Sequence, residues 1–376
     1  MSAPFPFGFP PPTALYLSFY VLTLLIHVLF MSYVLAGTGY LVAVHFLPGG
    51  FAASRHRSPL AEILRDWMPF ALSGAITAGV APLLFVQILY PRPFYTANLL
   101  LFHRWMAILP VLIAGFYLLY ILKTRWVTEG PPARGGAIAL AAWLCFGFTG
   151  YSWTENHLLS LQPAAWPAFY GSDSLFFWSA HLLPRLAVWT LGTLPVMALL
   201  LGWQFHLTYG QAREVPPYEL RRLAAIALAG LLLSALAGTG YGSLLSPAAR
   251  AFVQGGAGGP YLGLALIGWL IQAAIWFTVW GRASLRPGLL GAASLGALLS
   301  VLGMTVLREG VRLAALPAER FYALHERAAQ VGGLPVFLFF LVLNAVLVGW
   351  SIALARKAKA SPGTGEALRE DIFGRR

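Results

Sequence analysis

The sequence predicts an all-α bundle that crosses a membrane about nine times, with its N-terminus outside and its C-terminus inside. Three observations carry this. Of the 376 residues, 59% are hydrophobic and 10% are charged, against about 25% charged in a soluble domain. Nine runs stay apolar over roughly the length a helix needs to cross a bilayer. The basic residues are also divided unevenly between the two sets of connecting segments. A soluble globule of this length could not cover so much apolar surface. A disordered chain needs the opposite balance of charge and hydrophobicity.

The first run covers about 13–40 and continues through AGTGYLVAVHF to Phe46, so its helix is tilted or extends beyond the bilayer. It follows MSAPFPFGFPPPT, which has no basic n-region and no small-residue cleavage site, and so reads as a span rather than a signal peptide. The second run, 67–90, holds Pro82, and the third, 97–122, holds Pro110. The fourth is 136–153, and the fifth, 175–205, contains Pro184 and Pro195. Membrane helices keep such prolines where neighbouring helices satisfy the freed carbonyls. The remaining runs are 223–246, 260–281, 288–307 and 331–355, and none alternates with the period of two that a membrane barrel needs.

Two connections have a pattern of their own. Residues 154–174, TENHLLSLQPAAWPAFYGSDS, are aromatic and acidic, and read as a short interfacial helix anchored by Trp166, Phe169 and Tyr170. Residues 308–330, REGVRLAALPAERFYALHERAAQ, mix charges at helical spacing and read as an interfacial or docking helix. Residues 1–355 then form one transmembrane domain, and 356–376 a polar, disordered cytoplasmic tail.

Charge sets the orientation. Of the 25 Lys and Arg residues, 17 fall in 47–66, 123–135, 206–222, 282–287 and 356–376, which are the inner segments if the N-terminus is outside. The net charge of +12 is therefore a record of topology and no sign of a nucleic-acid partner. The lipid bilayer is the first partner implied. Two basic residues, Arg104 and Arg185, fall within spans instead. The single cysteine, Cys145, excludes an intrachain disulfide, a Cys-based zinc site and an iron–sulfur cluster.

The hexapeptide LAGTGY occurs at Leu35–Tyr40 and again at Leu236–Tyr241, on spans that run in opposite directions. This fits inverted halves of the kind found in transporters. It also fits small residues that let helices pack closely.

Ionisable groups within a bilayer are costly, and each is a functional candidate by default. No carboxylate is expected deep in a span. Glu155 sits at the outer end of the fourth, with Asn156 and His157 facing an external partner. That leaves histidine and arginine. His27 falls near the middle of the first span, and His103 and His181 each fall about 9 Å below the outer surface at 1.5 Å per residue. Arg104 neighbours His103, and Arg185 follows His181 by one turn. Two neutral imidazoles at matching depth, His103 and His181, suit the axial positions of a haem b iron, and the two arginines suit its propionates. The same groups with His27 suit a quinone, whose carbonyls need one or two donors in an apolar cleft.

GVAPLLFVQILY (Gly79 to Tyr90), followed by Phe94-Tyr95-Thr96, is distinctive. With LIHVLFMSYVLAG (Leu25 to Gly37) and Pro184-Arg185, it resembles a family of uncharacterised bacterial inner-membrane proteins often encoded beside multihaem c-type cytochromes. His27 matches that pattern. The histidine that follows the Pro-Arg pair in the family is replaced here by Leu186-Ala187-Val188-Trp189. The resemblance spans the first five helices and implies an energy-transducing setting in the bacterial cytoplasmic membrane. The function expected is therefore a membrane subunit of a respiratory electron-transfer complex that binds quinone, haem b or both. It would exchange electrons with a cytochrome or another periplasmic or membrane subunit. A carrier for a small solute and a cofactor-free scaffold for a periplasmic partner are the alternatives.

Overall fold

The computed structural model describes residues 3–46, 58–209, 215–331 and 333–360. Among these, nine helices are long and apolar enough to cross a membrane, and the protein is a multi-pass α-helical membrane protein. Two of the inner segments expected from the charge pattern lie outside the described residues in part, with Arg55, Arg57 and Arg213, as does the polar tail from 361 onward.

The spanning helices are α1 (Pro11–Phe46), α2 (Pro59–Leu89), α4 (Phe102–Ile121), α6 (Pro132–Ser160), α8 (Leu182–Gln204), α9 (Pro217–Ser243), α11 (Gly259–Arg282), α12 (Pro287–Ala315) and α14 (Gly333–Ala360). Short helices join them: α3 (Pro91–Leu100), α5 (Arg125–Thr128), α7 (Trp166–Tyr170), α10 (Pro247–Gln254) and α13 (Tyr322–Gln330). Many of these helices open on a proline, whose fixed φ and missing N–H suit the first turn. Ser58 and Ser246 cap α2 and α10 by accepting from the backbone N–H of Ala61 and Ala249.

The chain forms two compact units, Met1–Phe321 and Tyr322–Arg376. In the first, α1 lies along α2 and also packs on α6 and α8, while α8 pairs with α9 and α11 with α12. The apolar core runs through these contacts, from Leu64, Met68 and Leu72 on α2 to Met197 and Leu201 on α8 and Trp276 on α11. The α11–α12 pair is held close by Gly268 and Gly296, where a Cβ on either would strike the partner backbone. The second unit consists of α13 and the long apolar α14.

Four element boundaries differ from the sequence reading, and each moves a charged or titratable residue. The run 97–122 is two helices, α3 and α4, broken at Leu101, so His103 is the second residue of α4 rather than a residue well inside a span. The run 175–205 begins its helix only at Leu182, because residues 175–181 form an irregular segment. His181 thus caps α8 instead of lying within it. The common depth of about 9 Å expected for the two histidines is replaced by a common place at helix starts. In the opposite direction, α6 runs on to Ser160 and buries Glu155, Asn156 and His157, which were expected to face outward. α12 continues to Ala315, so Arg308, Glu309 and Arg312 belong to a spanning helix and not to an interfacial one. It ends just before Pro317, the residue that cannot continue it.

Candidate functional site

A cavity of about 1070 Å³ opens between α1, α2, α4, α6 and α8 in the first unit. Its walls are mainly apolar, with Leu24, Val28 and Met31 from α1, Ile76 and Val80 from α2, and Leu109 and Leu112 from α4. Four tryptophans also face it: Trp105, Trp143, Trp153 and Trp189. The histidines and arginines that reach it form two groups.

The first group is His27. Its Nδ1 lies 2.9 Å from the carbonyl oxygen of Ala75 on α2. A carbonyl can only accept, so Nδ1 carries the proton and Nε2 is left with a lone pair. Gly79, one turn beyond Ala75, lies flat against the imidazole, and a Cβ there would come within 3.0 Å of His27 Cε1. The sequence GAITAGVAP therefore supplies both the acceptor that fixes the tautomer and the gap that seats the ring.

The second group is a basic cluster at the outer ends of α1, α6, α8 and α12. Arg312 donates to Nδ1 of His157 at 2.9 Å. A guanidinium has no acceptor, so this nitrogen must hold the lone pair, and the hydrogen of His157 sits on Nε2. That Nε2 is buried and has no protein partner, although His157 lines the cavity. Arg312 also pairs with Glu309 at 3.1 Å, and Glu309 accepts the Tyr90 hydroxyl at 2.6 Å. The Arg312 guanidinium lies over the rings of Tyr90 and Tyr20, 4.9 and 5.5 Å from their centroids. Arg308 donates to the Tyr20 hydroxyl at 2.7 Å, and Arg185 to the Tyr241 hydroxyl at 2.8 Å. Burial is nearly complete for Glu309 (0% exposed), Arg312 (3%), Arg185 (4%) and His157 (6%). Tyr90 lies beyond the end of α2, and burial together with the Glu309 carboxylate pushes its phenol well above the ordinary range.

Three guanidiniums and one carboxylate therefore share this end of the cavity. Glu309 compensates Arg312. Neither Arg185 nor Arg308 has a carboxylate within ion-pair distance among the described residues. Tyr241 is the last residue of the second LAGTGY, and Tyr40, the last of the first, is buried near Glu219 and Arg222 at the other end of the molecule.

Of the residues singled out in the sequence, His27 and Arg185 line the cavity and His103, His181 and Arg104 do not. Arg104 contacts Glu155 at 2.9 Å, donates to Leu175 O, and lies 4.4 Å from the Phe176 ring centroid. Glu155 in turn accepts the Phe177 N–H at 2.8 Å. This group ties the irregular segment 175–181 to α4 and α6. His103 is exposed beside the Phe102 ring. His181 Nε2 bonds to Leu244 O at 2.8 Å, so Nδ1 keeps the lone pair, which faces the Ser179 hydroxyl at 3.4 Å. An iron ligand at this residue would have to displace that hydroxyl or the carbonyl. The imidazoles of His103 and His181 are thus not presented to the cavity, whereas those of His27 and His157 are. No group of three or more metal-ligating side chains occurs among the described residues.

His157, Arg308, Arg312 and their tyrosine partners were not singled out as site residues. One signal was available: Arg308 and Arg312 lie four apart, on one face of a helical pattern that runs unbroken from 288 until Pro317. No family model, curated protein or solved structure matches the chain.

Proposed function

We propose that the protein is the quinone-binding membrane subunit of an electron-transfer complex in the bacterial cytoplasmic membrane, exchanging electrons with a cytochrome on the outer side. The observation that carries this reading is His27. It is an imidazole of fixed tautomer, with a lone pair left on Nε2, and it lines a mainly apolar cavity of about 1070 Å³, volume enough for a ring and part of an isoprenoid chain. A quinone supplies two-electron, two-proton chemistry in a molecule that travels within the bilayer. His27 Nε2 accepts the hydrogen bond of a quinol hydroxyl and is the base placed to take its proton. The apolar walls exclude water from that contact, and the aromatic rings give the quinone faces to stack on. The partner and the cellular setting rest on the family resemblance and on the outward N-terminus inferred from the charge pattern.

The tryptophans on the cavity wall provide the test. Reduced ubiquinol and menaquinol analogues, titrated anaerobically into protein in lipid nanodiscs, should quench tryptophan fluorescence saturably. His27→Phe keeps the bulk of the ring but removes one hydrogen bond of about 1.4 kcal/mol, and should weaken binding about tenfold. Quenching that never saturates, or equal affinity in His27→Phe, would overturn the reading.

A further inference from the structure

The basic cluster lies about two helical turns along α1 from His27, near enough for Arg308 to act on the imidazole electrostatically. Tyr20, which bonds Arg308, is seven residues from His27 on α1, about 10 Å along the helix. The cluster needs its own explanation. Two buried or half-buried guanidiniums, Arg185 and Arg308, have only neutral tyrosine hydroxyls as partners. Beside them the His157 Nε2–H is a third donor, buried and without an acceptor. Uncompensated buried cations and an unpaired buried donor are both costly, and one anion would relieve all three. The walls leading away from the cluster toward Leu24, Val28 and Ile76 are mainly apolar.

We infer that Arg185, Arg308 and His157 form a binding site for the phosphate of an anionic lipid, whose chains lie along the apolar walls of the cavity. This goes beyond the quinone reading and stands without it, since lipid chains and a quinone would take the same apolar walls in turn and not together. Phosphate offers several acceptor oxygens to donors that converge from α6, α8 and α12, and Arg is suited to it by its fork of N–H groups. A lipid is the source that fits, because the site lies only a few residues below the outer ends of α6 and α12 and because the walls beside it suit acyl chains. A free phosphate ion has no use for those walls.

The full-length protein, delipidated in neutral maltoside detergent, is titrated with dioleoyl phosphatidylglycerol, dioleoyl phosphatidylcholine or inorganic phosphate. Binding is read by native mass spectrometry and by thermal shift. Wild type should prefer phosphatidylglycerol over phosphatidylcholine by about tenfold or more and show no shift with inorganic phosphate. Arg308→Gln and His157→Phe should each lose most of that preference, while Arg125→Gln, an exposed residue on α5, should keep it. Equal binding of the two lipids, or a preference unchanged in both cluster variants, overturns the site. Saturation by inorganic phosphate alone overturns the lipid assignment. If either variant fails to fold, the comparison of three ligands on wild type still decides, and Arg308→Lys, which keeps the charge and loses the fork, should give an intermediate preference. Quinol quenching with wild-type affinity in Arg308→Gln would separate this site from the His27 contact.

Discussion

Glu309 is the only carboxylate in the basic cluster among the described residues, and neutralising it should be costly in a defined way. Its carboxylate is fully buried, accepts the Tyr90 hydroxyl at 2.6 Å and pairs with Arg312 at 3.1 Å. Leaving a buried charge without its partner costs about 3–5 kcal/mol. Glu309→Gln keeps an oxygen that can accept from Tyr90 and Arg312, and charge-related hydrogen bonds contribute about 1.5–3 kcal/mol. The net loss expected for Glu309→Gln is then about 2 kcal/mol, and for Glu309→Ala about 4 kcal/mol. Arg312→Gln strands Glu309 in turn and should cost a similar amount. The double variant removes both charges and leaves two amides side by side, so its loss should fall short of the sum by about 2 kcal/mol. Unfolding in mixed micelles, followed by far-ultraviolet circular dichroism, measures the four variants against wild type. Additive losses within about 0.5 kcal/mol would show that the two charges do not depend on each other and would refute the reasoning.

Other outcomes follow from the same contacts. Tyr90→Phe should cost about 1–2 kcal/mol near neutral pH. The phenol titrates higher in the folded protein than in the unfolded chain, where it ionises at about 10. The stabilisation it provides is therefore complete below pH 10 and declines above it, so wild type and Tyr90→Phe should converge as the pH rises past 10; a gap that widens there would contradict this. Glu155→Ala removes the acceptor for Phe177 N–H and the counter-charge of Arg104. It should release residues 171–181, seen as new proteolytic cleavage in that segment with the rest of the chain intact; an unchanged digestion pattern would count against the tie. Single cysteines introduced in a Cys145→Ala background should react with membrane-impermeant maleimide from outside at Asp173 and from inside at Glu129. The reverse pattern would invert the topology inferred from charge.

The spans were legible because a bilayer-crossing helix is a statement about composition over some 20 residues, and composition is what a sequence displays most directly. The ends of α6 and α12 were not. Hydropathy stops counting at Glu155 and at Arg308, but both helices continue because those polar groups have partners inside the protein. The site was missed for the same reason. Arg185 on α8 and Arg312 on α12 are brought beside His157 on α6 by tertiary packing, and no local spacing links residues so far apart in the chain. His27 was legible because a lone imidazole in the middle of an apolar run is conspicuous by itself. The depths of His103 and His181 went wrong together, since the aromatic segment 175–181 and the helix α3 are apolar without belonging to a span.

The bond from Arg312 to His157 has a consequence for proton movement. A guanidinium cannot give up its proton or accept one, so while it points at Nδ1 the imidazole has no place for a second hydrogen. His157 can offer a hydrogen bond, but it cannot serve as a relay. While that bond lasts, a proton leaving the outward side of the cavity needs a carrier other than this imidazole.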